Sequence, residues 1–135
     1  MRQKILVVED NALNLKLFCD LLRAHDYDVE PVPDGREAVA KAREVGPDLV
    51  VMDIQLPYVS GLELIGLMKA DAALAHVPIM AVTAYAGAGD EARIREAGAQ
   101  AYVSKPISVM NFVEVVRGLL AAPPLPRAGG EEGAT

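Results

Sequence analysis

The chain has 135 residues, a net charge of −6 and 52% hydrophobic residues, which fits one folded domain with a sizeable core. The acidic balance argues against nonspecific binding to nucleic acid or to an anionic membrane surface, because both require a basic face. No apolar run approaches the length of a membrane span, so direct membrane insertion is not expected. The single cysteine, Cys19, excludes an internal disulfide and is typical of a reducing cytosol, so we expect a cytoplasmic protein.

Five short apolar runs alternate with five amphipathic segments along the chain. The runs predict buried strands over 4–8, 28–32, 49–52, 77–82 and 101–104. Apolar residues at helical spacing predict helices between 11 and 25, 36 and 45, 61 and 68, 90 and 98, and 108 and 119. This alternation predicts a doubly wound, five-stranded parallel sheet of the α/β class with helices on both faces. Pro31 favours an edge position for the second strand.

Two segments lack the periodicity of a strand or helix. Residues 86–89, with the sequence AGAG, predict a flexible connection that would allow Thr83 to move. Beyond Ala121 the composition becomes rich in Pro, Gly and Glu, which predicts a disordered tail over 122–135. Residues 1–121 are therefore expected to form the single folded domain.

The predicted strands end in polar residues that a parallel sheet would bring to one edge. These residues are Glu9 and Asp10 after the first strand, Asp53 after the third, Thr83 after the fourth and Lys105 after the fifth. Two carboxylates about 4 Å apart repel by about 4 kcal/mol at an effective dielectric constant near 20. A proton or a metal must relieve that repulsion, and Mg²⁺ prefers oxygen ligands of this kind.

A carboxylate beside Mg²⁺ can also act as a nucleophile toward phosphorus and form an aspartyl-phosphate. The charge on the transferred phosphoryl group would then be spread over the cation, Lys105, the Thr83 hydroxyl and the backbone N–H of Ala84. Residue types and strand direction thus predict phosphoryl chemistry at Asp53.

Four motifs in this order make the chain resemble the receiver domain of two-component response regulators over residues 3–121. They are VVEDN (7–11), VVMDIQLPYVSG (50–61), MAVTAYA (80–86) and AGAQAYVSKPI (97–107). The resemblance implies a flavodoxin-like, CheY-like sheet with strand order 2-1-3-4-5 and five helices. Within the family, the runs EDNALNLKLF, DIQLPYVSGLEL and SKPISVMNF are most similar to a single-domain regulator of cell-cycle and cell-polarity signalling.

The resemblance implies an acceptor and a metal site. Asp53 would accept the phosphoryl group from a histidine kinase or a phosphotransfer protein. Asp10 would bind Mg²⁺, or Mn²⁺ in its place, directly and together with Asp53. Glu9 would act mainly through water, and the backbone carbonyl of Gln55 would be a further ligand.

The resemblance also implies a phosphate-binding set and a switch. Lys105 and the N–H of Ala84 would bind the phosphate, while Thr83 and Tyr102 would form the switch. Ordinary half-buried packing of Tyr102 is the alternative. The Lys105–Pro106 peptide bond is expected to be cis.

Partners follow from the same resemblance: a sensor histidine kinase, a phosphatase, and a downstream kinase or other signalling protein. The output surface would be the fourth helix, fifth strand and fifth helix, and membrane-bound kinases could recruit the protein. The chain departs from common family residues at Leu56, Ser60 and Gln100. Gln55 and Tyr85 occupy positions that tune the lifetime of the phosphoryl group in the family.

Two other functions compete with a phosphorylation-gated switch that catalyses only its own phosphorylation and dephosphorylation. A Mg²⁺-dependent phosphohydrolase could use Asp53 as its nucleophile, but such enzymes carry a second Asp two residues later, where this chain has Gln55. A phosphorylation-independent scaffold would be expected to have a broken site, and this set of residues is complete.

Overall fold

The structure, a computed structural model, describes residues 2–84 and 88–121. The strands are β1 (Lys4–Val8), β2 (Asp28–Val32), β3 (Leu49–Asp53), β4 (Ile79–Thr83) and β5 (Ala101–Ser104). The helices are α1 (Ala12–Ala24), α2 (Ala38–Val45), α3 (Gly61–Ala70), α4 (Ala88–Ala97) and α5 (Val109–Ala121). A short 3₁₀ turn, Gly35–Glu37, precedes α2.

The five strands are parallel and lie in the order β2-β1-β3-β4-β5, which confirms the predicted fold class. All residues of β3 and β4 are buried, as expected for strands covered on both faces. Pro31 lies on the edge strand β2, where its missing N–H breaks no ladder hydrogen bond in the sheet interior.

Two apolar clusters cover the two faces of the sheet. Helices α1 and α5 pack on one face, where the rings of Phe18 and Phe112 stack with centroids 5.1 Å apart. Helices α2, α3 and α4 pack on the other face through residues such as Ala42, Ile65 and Ile94. Helices thus cover both faces of the sheet, and the polar residues lie at the carboxyl ends of its strands.

Several predicted boundaries differ from the structure, among them the starts of three elements. Strand β4 begins at Ile79 rather than at residue 77, because Val77 still belongs to the preceding turn and donates its N–H to the Leu74 carbonyl. The first two residues predicted for the second helix, Arg36 and Glu37, belong to the 3₁₀ turn. Helix α4 begins at Ala88 and not at Asp90, so residues 88–89 are helical, with acidic residues in the first turn that complement the helix dipole. Residues 85–87 and the predicted tail over 122–135 lie outside the described residues.

Helix caps and one glycine fix the loops around the polar edge. The Asn11 side chain accepts a hydrogen bond from the Asn14 N–H at the start of α1. Ser60 caps α3 in the same way through the Glu63 N–H. A Cβ atom at Gly61 would overlap the Asp53 carbonyl oxygen, so glycine allows α3 to begin against the end of β3.

Candidate functional site

The carboxyl edge of the sheet brings an acidic residue and a lysine into direct contact. Asp53 is the last residue of β3 and is 1% exposed. The Nζ atom of Lys105, which follows β5, lies 3.2 Å from Asp53 Oδ2 and 3.5 Å from Glu9 Oε1. The Lys105 side chain therefore extends from the end of the outer strand β5 to the end of the central strand β3, where its ammonium group balances part of the negative charge.

Three carboxylates form a cluster at this edge. Oxygen atoms of Glu9, Asp10 and Asp53 lie within 4.8 Å of one another, with Asp10 exposed and the other two buried. Burial and a side-chain hydrogen bond with Asp53 raise the pKa of Glu9 to about 7, against the lowering effect of Lys105. The Asn11 N–H donates to Glu9 Oε2, whereas Glu9 Oε1 accepts no hydrogen bond from the described residues.

These carboxylates fit a magnesium ion by position and chemistry. Oxygen ligands on opposite sides of Mg²⁺ are about 4.2 Å apart, so the cluster needs little adjustment to surround the ion. The exposed side of Asp10 leaves room for the waters that Mg²⁺ retains. The buried Glu9 Oε1, which lacks a hydrogen-bond donor among the described residues, would gain a second electrostatic partner beside Lys105.

The Gln55 side chain bridges the ends of β3 and β4. Its Nε2 atom donates to Thr83 Oγ1 at 2.9 Å, and its Oε1 atom accepts from the Ala84 N–H at 2.8 Å. Its backbone N–H donates to Asp53 Oδ1 at 3.1 Å. Gln55 was predicted as a backbone-carbonyl ligand and as a position that tunes the phosphoryl lifetime, but the contacts of its amide were not predicted, because no spacing rule gives the direction of a loop side chain.

Tyr102 is half-buried on β5 and is tied to helix α4 rather than to the acidic cluster. Its hydroxyl donates to Glu91 Oε1 at 3.2 Å, and the Arg95 guanidinium lies 5.8 Å from the ring centroid. The Glu91 charge raises the pKa of the Tyr102 hydroxyl above its ordinary value. These contacts link β5 to α4 on the face opposite α1 and α5.

An apolar cleft borders the lysine side of the site. It has a volume of about 410 Å³ and is lined by Asn14, Leu17, Phe18, Lys105, Pro106 and Ile107. The Lys105–Pro106 peptide bond is cis. Leu13 and Met110, which belong to the first turns of α1 and α5, are 80% and 75% exposed.

Residues 5–117 match the response regulator receiver domain family. The chain belongs to this family. It is 52% identical over 120 residues to the polar-differentiation response regulator DivK of Brucella ovis, with 89% of this chain and 98% of DivK covered. The receiver domain is thus a close relative of DivK, which confirms the resemblance seen in the motifs.

Solved structures support the fold. A receiver domain of a sensor histidine kinase from Pseudomonas aeruginosa is 32% identical, with a TM-score of 0.83 over 90% of this chain and all of that one. That crystal structure has a magnesium ion coordinated in the active site cleft. The chemotaxis protein CheY4 of Vibrio cholerae matches at a TM-score of 0.84 over 88% of this chain and 99% of that one. Its 24% identity supports the fold alone.

Family membership fixes the general class of activity. Receiver domains are signalling switches rather than catalysts of metabolic reactions, and they interact with histidine kinases and phosphotransfer proteins. In the part of the chain that the structure describes, no helix is long and apolar enough to cross a membrane. Tyr85, predicted to occupy a position that tunes the phosphoryl lifetime, lies outside the described residues.

Proposed function

We propose that this chain is a phosphorylation-gated binding switch in polarity signalling, with Asp53 as the phosphoryl acceptor. The observation that carries the proposal is the contact of 3.2 Å between Lys105 Nζ and a buried Asp53 carboxylate at the open edge of the sheet. An Asp53 oxygen would attack the phosphorus of a phosphohistidine. The new P–O bond forms as the P–N bond breaks, and the imidazole nitrogen keeps the electron pair.

A bound Mg²⁺ would neutralise charge on the phosphoryl oxygens. Asp10, Asp53 and the Gln55 backbone carbonyl are the proposed direct ligands, with Glu9 acting through water. The proximity of the three carboxylates supports this assignment, and the magnesium site of the P. aeruginosa domain agrees with it.

The chain's own polar groups would bind the phosphoryl oxygens. Lys105 supplies a positive charge that already contacts the acceptor carboxylate. The Thr83 hydroxyl and the Ala84 N–H lie at the end of the neighbouring strand, β4, and are the proposed hydrogen-bond donors. Movement of Thr83 and rearrangement of Tyr102 away from Glu91 would carry the change to α4, β5 and α5.

The phosphodonor must reach Asp53, so its docking surface must surround the carboxyl edge. The apolar cleft beside Lys105 and the exposed side chains of Leu13 and Met110 support docking there. A partner that senses the switch would instead contact the α4, β5 and α5 face, where Tyr102 meets Glu91. The name of the Brucella relative supports a role of this kind in polar differentiation.

Labelling with a small phosphodonor tests the acceptor. We expect acetyl phosphate with Mg²⁺ to add one acid-labile, hydroxylamine-sensitive phosphate, detected by intact mass. Asp53→Asn should abolish the labelling, because its amide is not a nucleophile toward phosphorus. Asp20→Asn is the matched control, since it removes an exposed carboxylate paired with Lys16 on α1 and should label normally.

Each alternative gives a different result in the same experiment. Full labelling of Asp53→Asn would contradict the assignment of the acceptor. Absence of labelling in the wild-type chain would favour a scaffold. Sustained turnover of a phosphate ester would favour the phosphohydrolase, although Gln55 stands where such enzymes have a second acid.

A further inference from the structure

Gln55 contacts the acceptor and the proposed phosphate donors at the same time. Its backbone N–H donates to Asp53, while its side-chain amide bonds to Thr83 Oγ1 and to the Ala84 N–H. The two side-chain bonds measure 2.9 and 2.8 Å, within the range of well-formed hydrogen bonds. One side chain therefore engages both groups that lie at the end of β4.

The chemistry of the partners determines the orientation of this amide. The Ala84 N–H can only donate, so it must face the carbonyl oxygen of Gln55. The amide nitrogen can only donate as well, so Thr83 Oγ1 accepts its hydrogen bond. A flipped amide would place two donors against each other at Ala84, so the Ala84 N–H fixes the orientation in which Thr83 Oγ1 accepts from Gln55 Nε2.

A phosphoryl group on Asp53 needs the Ala84 N–H and the Thr83 hydroxyl as hydrogen-bond donors, because its oxygens are acceptors. In the structure the Ala84 N–H is directed to Gln55, and the Thr83 oxygen is used as an acceptor. The Gln55 amide and the phosphoryl oxygens therefore compete for the Ala84 N–H, whereas a hydroxyl such as that of Thr83 can accept from Gln55 and donate its own hydrogen at the same time.

We propose that the Gln55 side chain is an internal latch that holds Thr83 and Ala84 in the unphosphorylated state. The Gln55 carbonyl must leave the Ala84 N–H before that N–H can bind the phosphoryl group on Asp53. This inference rests on the proposed function of Asp53 and gives a regulatory role to the side chain of Gln55. Gln55 and Thr83 also line a small cavity with Asp90 and Arg93 of α4, so polar groups border the space into which the released amide can turn.

The binding of beryllofluoride, a phosphoryl analogue, tests the latch in the full-length chain with Mg²⁺. Gln55→Ala removes the amide, and Gln55→Met removes its hydrogen bonds while keeping most of its bulk. We expect the Kd of both variants to fall about fivefold. This factor corresponds to about 1 kcal/mol, the net contribution of one hydrogen bond that no longer has to be broken.

Gln100, which directly precedes β5, provides a matched control because it also bonds to β4. Its Oε1 atom accepts a hydrogen bond of 2.8 Å from the Ile79 N–H, at the other end of β4. Gln100→Ala therefore removes the same type of side chain and the same type of bond to a strand N–H, away from the acidic cluster. Its Kd for beryllofluoride should equal that of the wild-type chain.

The outcomes separate the latch from the proposed function. If the wild-type protein binds no beryllofluoride, both the proposed function and the latch are wrong. If it binds and neither Gln55 variant binds more tightly, the latch is wrong and the proposed function stands. Tighter binding by Gln55→Ala alone would show that bulk, rather than hydrogen bonding, opposes the anion, which also overturns the latch.

Amide hydrogen exchange tests the resting state without any ligand. The Ala84 N–H should exchange faster in Gln55→Ala and Gln55→Met than in the wild-type chain, because its acceptor is gone. In the wild-type spectrum, the side-chain NH₂ resonances of Gln55 should shift on addition of beryllofluoride. Unchanged exchange at Ala84, or unchanged NH₂ resonances at saturation, would contradict the latch.

Discussion

Two partly buried lysines lie near opposite ends of the sheet, and their partners differ. Lys105, at the carboxyl edge, contacts the carboxylates of Asp53 and Glu9. Lys69, at the end of α3, donates to two backbone carbonyls, those of Ala75 at 3.2 Å and Val77 at 2.6 Å. The first lysine balances charge, whereas the second caps neutral groups in the loop before β4.

The difference shows that a displaced pKa does not by itself mark a functional residue. Burial lowers the pKa of Lys69 to about 8, although its carbonyl partners indicate a structural role. Lys105 is 22% exposed beside the acidic cluster, where an incoming anion can reach it. Partners and access, rather than burial, thus distinguish the lysine expected to act from the lysine expected to hold the fold.

The largest effect is expected from replacing Lys69, the lysine with a structural role. Lys69→Met should lower the free energy of unfolding by about 1–3 kcal/mol, because two buried carbonyls lose their donor. The folded-state pKa of Lys69 is about 8 against 10.5 in the unfolded chain. The unfolded state therefore binds more protons between these values, and wild-type stability should rise from pH 8 to 10 relative to the variant. Urea unfolding at both pH values measures this.

Lys16→Met is the matched control for that comparison. Lys16 is exposed on α1 and paired with Asp20, so its loss should change stability by less than about 0.5 kcal/mol at either pH. Equal stability of Lys69→Met and the wild-type chain would show that the carbonyls near β4 do not need the lysine.

The sequence was sufficient to predict the sheet and the residues of the acidic edge. Apolar runs such as Leu49–Met52 are typical of strands buried on both faces, and strand direction alone brings Asp53 and Thr83 to one edge. The start of β4 was predicted two residues too early, because Val77 and Pro78 are apolar but belong to the turn. Hydrophobicity reports burial and does not distinguish a buried turn from a strand.

Contacts made by long side chains could not be predicted in the same way. The reach of Gln55 to β4, and of Tyr102 to Glu91, depends on loop and helix geometry that no periodicity encodes. Lys69 illustrates the same limit, since it occupies a polar position of an amphipathic helix and yet its ammonium group is directed at the loop carbonyls. Side chains at strand ends are easier to place, because the backbone fixes their direction.

The next largest effect is expected from replacing Lys105, the lysine that balances charge. Lys105→Met should raise the Kd for beryllofluoride about tenfold, equivalent to about 1.4 kcal/mol, because one charge-assisted hydrogen bond to the anion is lost. The same variant should still accept a phosphate from acetyl phosphate, since Asp53 and the other carboxylates remain. Titration monitored by backbone amide resonances measures the Kd. As a control, Lys69→Met should bind beryllofluoride with wild-type affinity under conditions where the variant is folded. Wild-type affinity in Lys105→Met would contradict the role of Lys105.

The smallest effect is expected from Glu9→Gln, which removes the repulsion between Glu9 and Asp53 that Lys105 only partly balances. In a chelating buffer at pH 8, Glu9→Gln should raise the free energy of unfolding by about 1 kcal/mol, because a neutral amide replaces a buried carboxylate next to Asp53. The pKa of Glu9 is about 7 in the folded chain against 4.5 in the unfolded one, so its protonated form favours the folded state. That contribution is complete below pH 4.5 and is lost as the pH rises through 7, and the advantage of the variant should therefore shrink at pH 5. Urea unfolding at pH 5 and pH 8 checks this, and a variant that is less stable than wild type at pH 8 would show that the Glu9 charge is already fully compensated by Lys105.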